Sequence, residues 1–161
     1  HVAYTGGKLM NELKQKAYIF ATIFTLSNRL QTLGDEFDEN FTTKQWLFIL
    51  AVSRFKEPPT ITEVANFIGY SRQNAKRIAA DLQKAGHIKL QKDENDARAL
   101  RIIINPECIE YFKKRDKREI EFLEQVFTGF DAELTNSMYK GFVKLDKNIK
   151  DMAQKKNLLY E

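Results

Sequence analysis

Ser71-Arg72-Gln73-Asn74-Ala75-Lys76-Arg77-Ile78-Ala79-Ala80-Asp81-Leu82-Gln83-Lys84 runs into Ala85-Gly86-His87-Ile88-Lys89-Leu90-Gln91-Lys92, and two structural periods follow one another in these residues. At 3.6 residues per turn Ala75, Ile78, Ala79 and Leu82 fall on one side, spaced i, i+3, i+4, i+7. Gln73, Arg77, Ala80 and Lys84 fall opposite, with Asn74 and Lys76 flanking. The reading is a helix over 72–84, capped by Ser71 and stopped at Gly86, with one apolar and one polar face. From His87 the alternation changes to period two, the signature of a half-buried strand.

Upstream, Pro58-Pro59 is followed by Thr60-Ile61-Thr62-Glu63, a capping box in which a threonine accepts from the amide three residues on and the acid reaches back. It opens a short helix ending at Gly69, a good left-handed C-terminal residue. Two capped helices joined by a short glycine-containing turn are a helix-turn-helix. Before them, Thr42-Thr43-Lys44-Gln45 opens another helix whose buried side is read as Trp46, Leu47, Ile49, Leu50 and Val52. Downstream, the polar tip Asp93-Glu94-Asn95-Asp96 joins the first strand to Leu100-Arg101-Ile102-Ile103-Ile104, giving a hairpin. Asn105-Pro106-Glu107 places a cap and a first-turn proline, so a helix starts there and runs to about residue 127.

The outer segments are long helices. Leu9, Leu13, Ala17, Phe20, Phe24, Leu30 and Leu33 recur at helical steps over 8–33, and Ile19, Ile23 and Leu26 widen the stripe. Gly34 and the acidic run 35–40 are expected to end this helix. After Gly129, Leu134, Met138, Phe142, Leu145, Ile149 and Met152 mark a last helix. A helix apolar over more than half its circumference needs more than one partner surface. Packing against a second copy of the chain accounts for these stripes; an intramolecular bundle is the other reading. The expected fold is mostly α with a small β-hairpin wing (α+β). A winged helix-turn-helix at 42–106 is flanked by a helical dimerisation region made of 8–33 with 107–155.

The 161 residues amount to one domain or one domain with an added oligomerisation element. No run approaches the roughly 20 apolar residues of a membrane span. The single cysteine, Cys108, excludes an internal disulfide framework and a CxxC zinc site, and with His1 and His87 as the only histidines a metal cage is not expected. Residues 1–7 have no basic–apolar–small signal pattern, so a cytoplasmic protein is expected. Net charge is +4, but its distribution says more. Between 70 and 101, Arg72, Lys76, Arg77, Lys84, Lys89, Lys92, Arg98 and Arg101 face Asp81, Asp93, Glu94 and Asp96. A compact basic surface suits a polyanion, although a solvated face has the same composition.

Recognition helices contact base edges from their N-terminal residues. Arginine pairs with guanine, glutamine or asparagine with adenine. Gln73, Asn74, Lys76 and Arg77 are therefore the base-readout candidates. Ser71, Arg72 and Lys84 are candidates for the DNA backbone, Ser71 because hydroxyl and free amides meet there. On the wing the candidates are Lys92, Asp96 and Arg98. Asp96 is expected to direct the Arg98 guanidinium, which would enter a narrow minor groove; a pair that only stabilises the turn is the alternative.

The chain resembles the MarR family of winged-helix transcription regulators. The resemblance rests on Thr42-Thr43-Lys44-Gln45-Trp46, on Thr62-Glu63-Val64-Ala65 before Ser71, and on Leu82-Gln83-Lys84-Ala85-Gly86-His87-Ile88. Asp96-Ala97-Arg98-Ala99-Leu100-Arg101-Ile102-Ile103-Ile104-Asn105-Pro106-Glu107 is similar to the family's wing signature, D-x-R, a strand, and a Thr-Pro-Glu-Gly helix start. Asn105 replaces the usual threonine and Cys108 the usual glycine. The resemblance implies a homodimer that binds pseudo-palindromic double-stranded DNA, often as a repressor. It also implies that small aromatic or phenolic effectors, or oxidants, relieve binding, and it maps no effector residue onto this chain.

Two readings compete with parts of this one. A protein-interaction module on the same scaffold would act by heterodimerisation or docking. Cys108, near a helix start, would be either a redox-sensitive thiol or a buried small side chain. An enzyme is not expected: no Gly-rich phosphate loop, HExxH or nucleophile elbow occurs.

Overall fold

A computed structural model describes residues 7–96 and 98–157, apart from the side chains of 7–9 and 157. Residues 1–6, Ala97 and 158–161 lie outside the described residues, and the reading of 1–7 as lacking a signal pattern falls there for all but Gly7. The described chain runs α1 (Gly7–Phe37), α2 (Thr43–Val52), α3 (Ile61–Ile68), α4 (Arg72–Lys84), β1 (Ile88–Lys92), β2 (Leu100–Ile104), α5 (Pro106–Val126) and α6 (Ala132–Asn157). It falls into two units, one ending at Tyr111 and the other starting at Phe112. The fold class is the expected one: a helix-turn-helix and an antiparallel hairpin, preceded and followed along the chain by long helices.

The caps fall where the side chains dictate. Thr42 and Thr60 each accept the backbone N–H three residues on, and Gln45 and Glu63 return a side-chain oxygen to the cap amides at 3.0 and 2.6 Å. The second box makes Ile61 the first helical residue of α3. Gly69 ends α3 in the left-handed region at φ 83°, which a side chain would disfavour, and this turns the chain sharply into α4. The hairpin pairs Ile88 with Ile104 and Lys92 with Leu100. A bridge between Thr60 and Arg101, with the Ile102 N–H donating to the Pro59 carbonyl at 2.8 Å, adds the segment before α3 to the wing. The two prolines thus do more than stop α2: they furnish an edge partner for β2.

The core of the first unit lies between α2, α3, α4 and the hairpin. Phe48, Val64, Ala75, Ala79 and Leu82 are fully buried, and Ile88, Ile102 and Phe41 nearly so. Phe48, which the sequence reading left out, is the innermost aromatic of α2, whereas Trp46 and Leu47 are half-buried. Phe41 stacks on His87 at 4.3 Å between centroids and lies 5.3 Å from the ring of Tyr111. The Tyr111 hydroxyl donates to Asp38 Oδ1 at 2.7 Å, and the Asn40 N–H donates to the same oxygen at 2.8 Å. These bonds tie the start of α5 to the segment between α1 and α2. Burial against Phe41 lowers the His87 pKa, with the Asp38 charge acting in the opposite sense.

One boundary differs from expectation. α1 does not stop at Gly34 but continues to Phe37. Gly34 is there for close approach. A Cβ on it would run into the Thr43 hydroxyl and lie 3.3 Å from Thr43 Cβ. That hydroxyl donates to the Gln31 carbonyl at 3.0 Å, and the Thr43 N–H donates to Asp35 Oδ1 at 2.6 Å. Asp35, read as part of a helix-ending acidic run, instead accepts a free amide at the start of α2.

Along α1, Phe20 and Phe24 form an edge-to-face pair at 5.3 Å and remain exposed, as do Leu30 and Leu33. In the second unit Ile120, Leu123, Phe142, Ile149 and Met152 are exposed. No helix among the described residues is long and apolar enough to cross a membrane.

Candidate nucleic-acid interface

The α4 face opposite Ala75, Ile78, Ala79 and Leu82 is open to solvent. Gln73, Lys76, Arg77, Ala80 and Lys84 are all exposed, and Asn74 is half-buried. The buried and open faces divide along the 3.6-residue period read from the sequence. Ser71 accepts the Asn74 N–H on Oγ at 3.2 Å, so it caps the helix while its own hydroxyl proton stays available. Ser71 and Arg72 are exposed at the helix start, where unpaired amides and the positive end of the helix dipole favour an anion. Arg77 Nη2 donates to Asn74 Oδ1 at 3.2 Å, one turn back along the same face.

The wing is organised by Asp93, not by Asp96. Asp93 Oδ1 accepts the N–H groups of Asn95 and Asp96 at 2.7 and 2.9 Å, and Oδ2 pairs with Arg101 Nε. Arg101 also donates to the Pro58 carbonyl at 2.9 Å and lies 3.6 Å from Glu63. One guanidinium therefore joins the wing base to the capping box of α3. The Arg101 guanidinium and the amides of Asn95 and Asp96 hold the Asp93 carboxyl below its ordinary range. Glu63 is lowered chiefly by its bond from the Thr60 amide. The sequence reading counted Arg101 among the basic residues but missed this role. The partner lies eight residues away across a turn, a separation that no helical or strand period marks.

Asp96 does not direct the Arg98 guanidinium as expected. Its carboxylate accepts the Arg98 backbone N–H at 2.9 Å, a bond that closes the turn. A two-residue spacing suits this local side-chain-to-backbone bond better than it suits a pair between side chains. The Arg98 side chain is left exposed at the tip. Lys92 is exposed at the end of β1, paired in register with Leu100. Of the acidic residues at the tip, Asp93 is engaged by Arg101 and turned out of solvent, while Glu94 and Asp96 are exposed.

Cys108 is buried in the first turn of α5, and burial pushes its thiol up to about 11. Asn105, just before that helix, donates its side-chain amide to the Gly86 carbonyl at 2.6 Å and accepts the Cys108 N–H on its own carbonyl. It thereby pins the end of the wing to the turn that follows α4.

Residues 39–99 match the model of the MarR family. Solved structures similar to this chain include a MarR protein from Peptoclostridium difficile, 18% identical, with a TM-score of 0.76 over 94% of this chain and 96% of that one. A MarR/EmrR family transcriptional regulator from Acinetobacter sp. ADP1 is 16% identical, with a TM-score of 0.73 over 84% of this chain and 97% of that one. An organohalide-sensing transcriptional regulator in its 2,4-dichlorophenol-bound form is also 16% identical, with a TM-score of 0.72 over 92% and 89%. No curated protein matches the chain. The resemblance read from the sequence therefore holds, as a family match over 39–99 and as a fold over nearly the whole length.

Proposed function

From the MarR-family match over residues 39–99 and the MarR fold of the chain, we propose that this protein is a homodimeric, sequence-specific DNA-binding transcription regulator, not an enzyme, acting in the cytoplasm. Two copies of α4 enter successive major grooves about 34 Å apart, and the wings reach the flanking minor grooves. Gln73, Lys76 and Arg77, with Asn74 behind them, serve base readout. Ser71, Arg72, Lys84, Lys92 and Arg98 meet the phosphates or the minor groove, while Asp96 shapes the tip that presents Arg98. The helical regions 8–33 and 107–155 form the dimer. The observation that carries the reading is the open polar face of α4, set on a fully buried apolar face in a short, well-capped helix. Repression relieved by a small aromatic or phenolic effector is the regulatory mode this reading favours; a structural neighbour in its 2,4-dichlorophenol-bound form supports that class.

Selection of fragments from a random duplex pool by the purified protein, with particle size measured with and without the selected DNA, tests the proposal. A dimer should recover pseudo-palindromic sites, and log K should fall steeply and linearly with log salt. A chain that stays monomeric, or that has no affinity for any duplex at low salt, overturns it in favour of a protein-interaction module.

A further inference from the structure

We infer that Asn74 is a positioning residue whose side-chain oxygen holds the Arg77 guanidinium over the open face of α4, so that Arg77 reads the base and Asn74 does not. The inference rests on the DNA-binding reading above. Of Gln73, Asn74, Lys76 and Arg77, Asn74 alone is half-buried, while the other three are exposed. Its main-chain N–H is fixed by Ser71 Oγ at 3.2 Å, and its Oδ1 accepts from Arg77 Nη2 at 3.2 Å. The oxygen that adenine recognition would require is the atom that holds Arg77.

The arrangement has a physical consequence for recognition. A free arginine side chain gives up rotamer freedom when it docks, and this loss is subtracted from the binding energy. A guanidinium already held one turn back has less to lose. It carries five N–H donors, and one bond to Asn74 leaves four, enough for two parallel bonds to a guanine edge. Asn74 thus acts on the sequence preference of the helix through Arg77.

The test uses Asn74→Ala, Asn74→Asp and Arg77→Ala in the full chain. Each is titrated against the selected site and against sites with one base pair changed at a time, with thermal unfolding followed in parallel. N74A should lower discrimination by about threefold to tenfold, the range for one hydrogen bond, at the same base pair that R77A affects. In the R77A background it should change nothing more. N74D keeps the oxygen and loses the amide donor. It should retain discrimination while weakening binding to all duplexes through its added charge. If N74A relaxes a different base pair, or if N74D fails as N74A does, the amide itself is read and the inference is overturned. Nitrogen relaxation of the arginine Nε groups in the free protein needs no DNA. Arg77 should be more ordered than Arg72, and in N74A the two should become alike. Equal mobility in the unsubstituted chain rejects the positioning role whatever the DNA titrations give. Absence of any duplex binding by a chain with an ordered Arg77 would instead count against the regulator reading alone.

Discussion

Arg77 and Arg98 are both exposed arginines on the proposed DNA side, but their settings assign them different work. Arg77 projects from a rigid, capped helix with a neighbour at its guanidinium, a setting suited to two parallel bonds on one base. Arg98 projects from a hairpin tip whose backbone is closed by Asp96, a setting suited to a groove of strong negative potential. Arg77→Ala is therefore expected to lose about 1–3 kcal/mol of discrimination at one base pair. Arg98→Ala should weaken binding to most sequences alike and reduce the salt slope by about 1. Fluorescence-anisotropy titrations at several salt concentrations, on selected and scrambled duplexes, separate the two. Unchanged affinity in both variants would reject the residue assignments. The same scale decides between the two readings of Cys108. A reactive thiol needs its thiolate, and burial drives the group the other way, to about 11. Relative to an ordinary thiol near 8.5, its thiolate fraction at neutral pH is lower by roughly two orders of magnitude. Native protein should therefore react with a disulfide reagent far more slowly than unfolded protein, and peroxide should leave DNA binding unaltered through this residue. Labelling at the rate of a free thiol would reverse that conclusion.

The elements show what the order of residues reveals and what it conceals. The two faces of α4 were legible because helix burial follows a fixed period, and the caps were legible because Thr42, Thr60 and Ser71 act within three residues. Gly34 was misread because glycine marks both helix ends and close backbone approach, and which applies depends on Thr43, nine residues away and in another helix. The structural reading makes a prediction opposite in sign to helix propensity. In an exposed helix Gly→Ala gains about 1 kcal/mol. Here the added Cβ would force Thr43 to turn away and lose its bond to Gln31, so Gly34→Ala should destabilise by about 1–2 kcal/mol. Urea unfolding measures it, and in a Thr43→Ala background, where the hydroxyl and its bond to Gln31 are already gone, the same Gly34→Ala change should cost little; a stabilised single variant would mean α1 and α2 do not meet this closely. The wing anchor was concealed for a similar reason, since Asp93, Arg101, Glu63 and Pro58 come together only through the turn and the bridge to Thr60. Its titration has a definite direction. Asp93 and Glu63 are both held below their ordinary pKa values in the folded chain. Their contribution is complete above the unfolded values of about 4 and is lost as pH falls through the lower folded values. The Ile102 amide, bonded to Pro59, should keep its hydrogen-exchange protection between pH 5 and 8, within a margin of about one unit of those unfolded values. It should lose protection in more acidic solution, and Arg101→Ala should reduce that dependence to the part that Glu63 and Asp93 owe to backbone amides. Protection that is flat through the acid range would show that the anchor does not hold the wing.

At the scale of the whole molecule the question is what covers the exposed apolar side chains. In the first unit they lie along α1, with Phe20 and Phe24 67% and 60% exposed; in the second they lie on α5 and α6, with Ile149 56% and Met152 63% exposed. Monomeric soluble proteins rarely leave contiguous apolar patches of such extent, and each Leu, Ile or Phe taken out of water contributes about 1.5–3 kcal/mol. A second copy supplies an identical set of stripes, and a two-fold interface needs that self-complementarity. The consequence for DNA follows from linkage of two reading heads: a dimer turns the second half-site contact into an intramolecular one, so its loss should weaken operator binding by about a hundredfold or more. Phe20→Glu with Phe24→Glu places charge in the α1 stripe without touching the core, because Phe48, Val64 and Leu82 are buried elsewhere in the fold. Sedimentation should find this variant monomeric at concentrations where the unsubstituted chain is dimeric. Circular dichroism should show a retained cooperative transition, with binding to a single half-site little changed. If the variant stays dimeric and binds the full operator as before, the α1 stripe is not part of the interface, and the distance between the two α4 helices must be set by other elements.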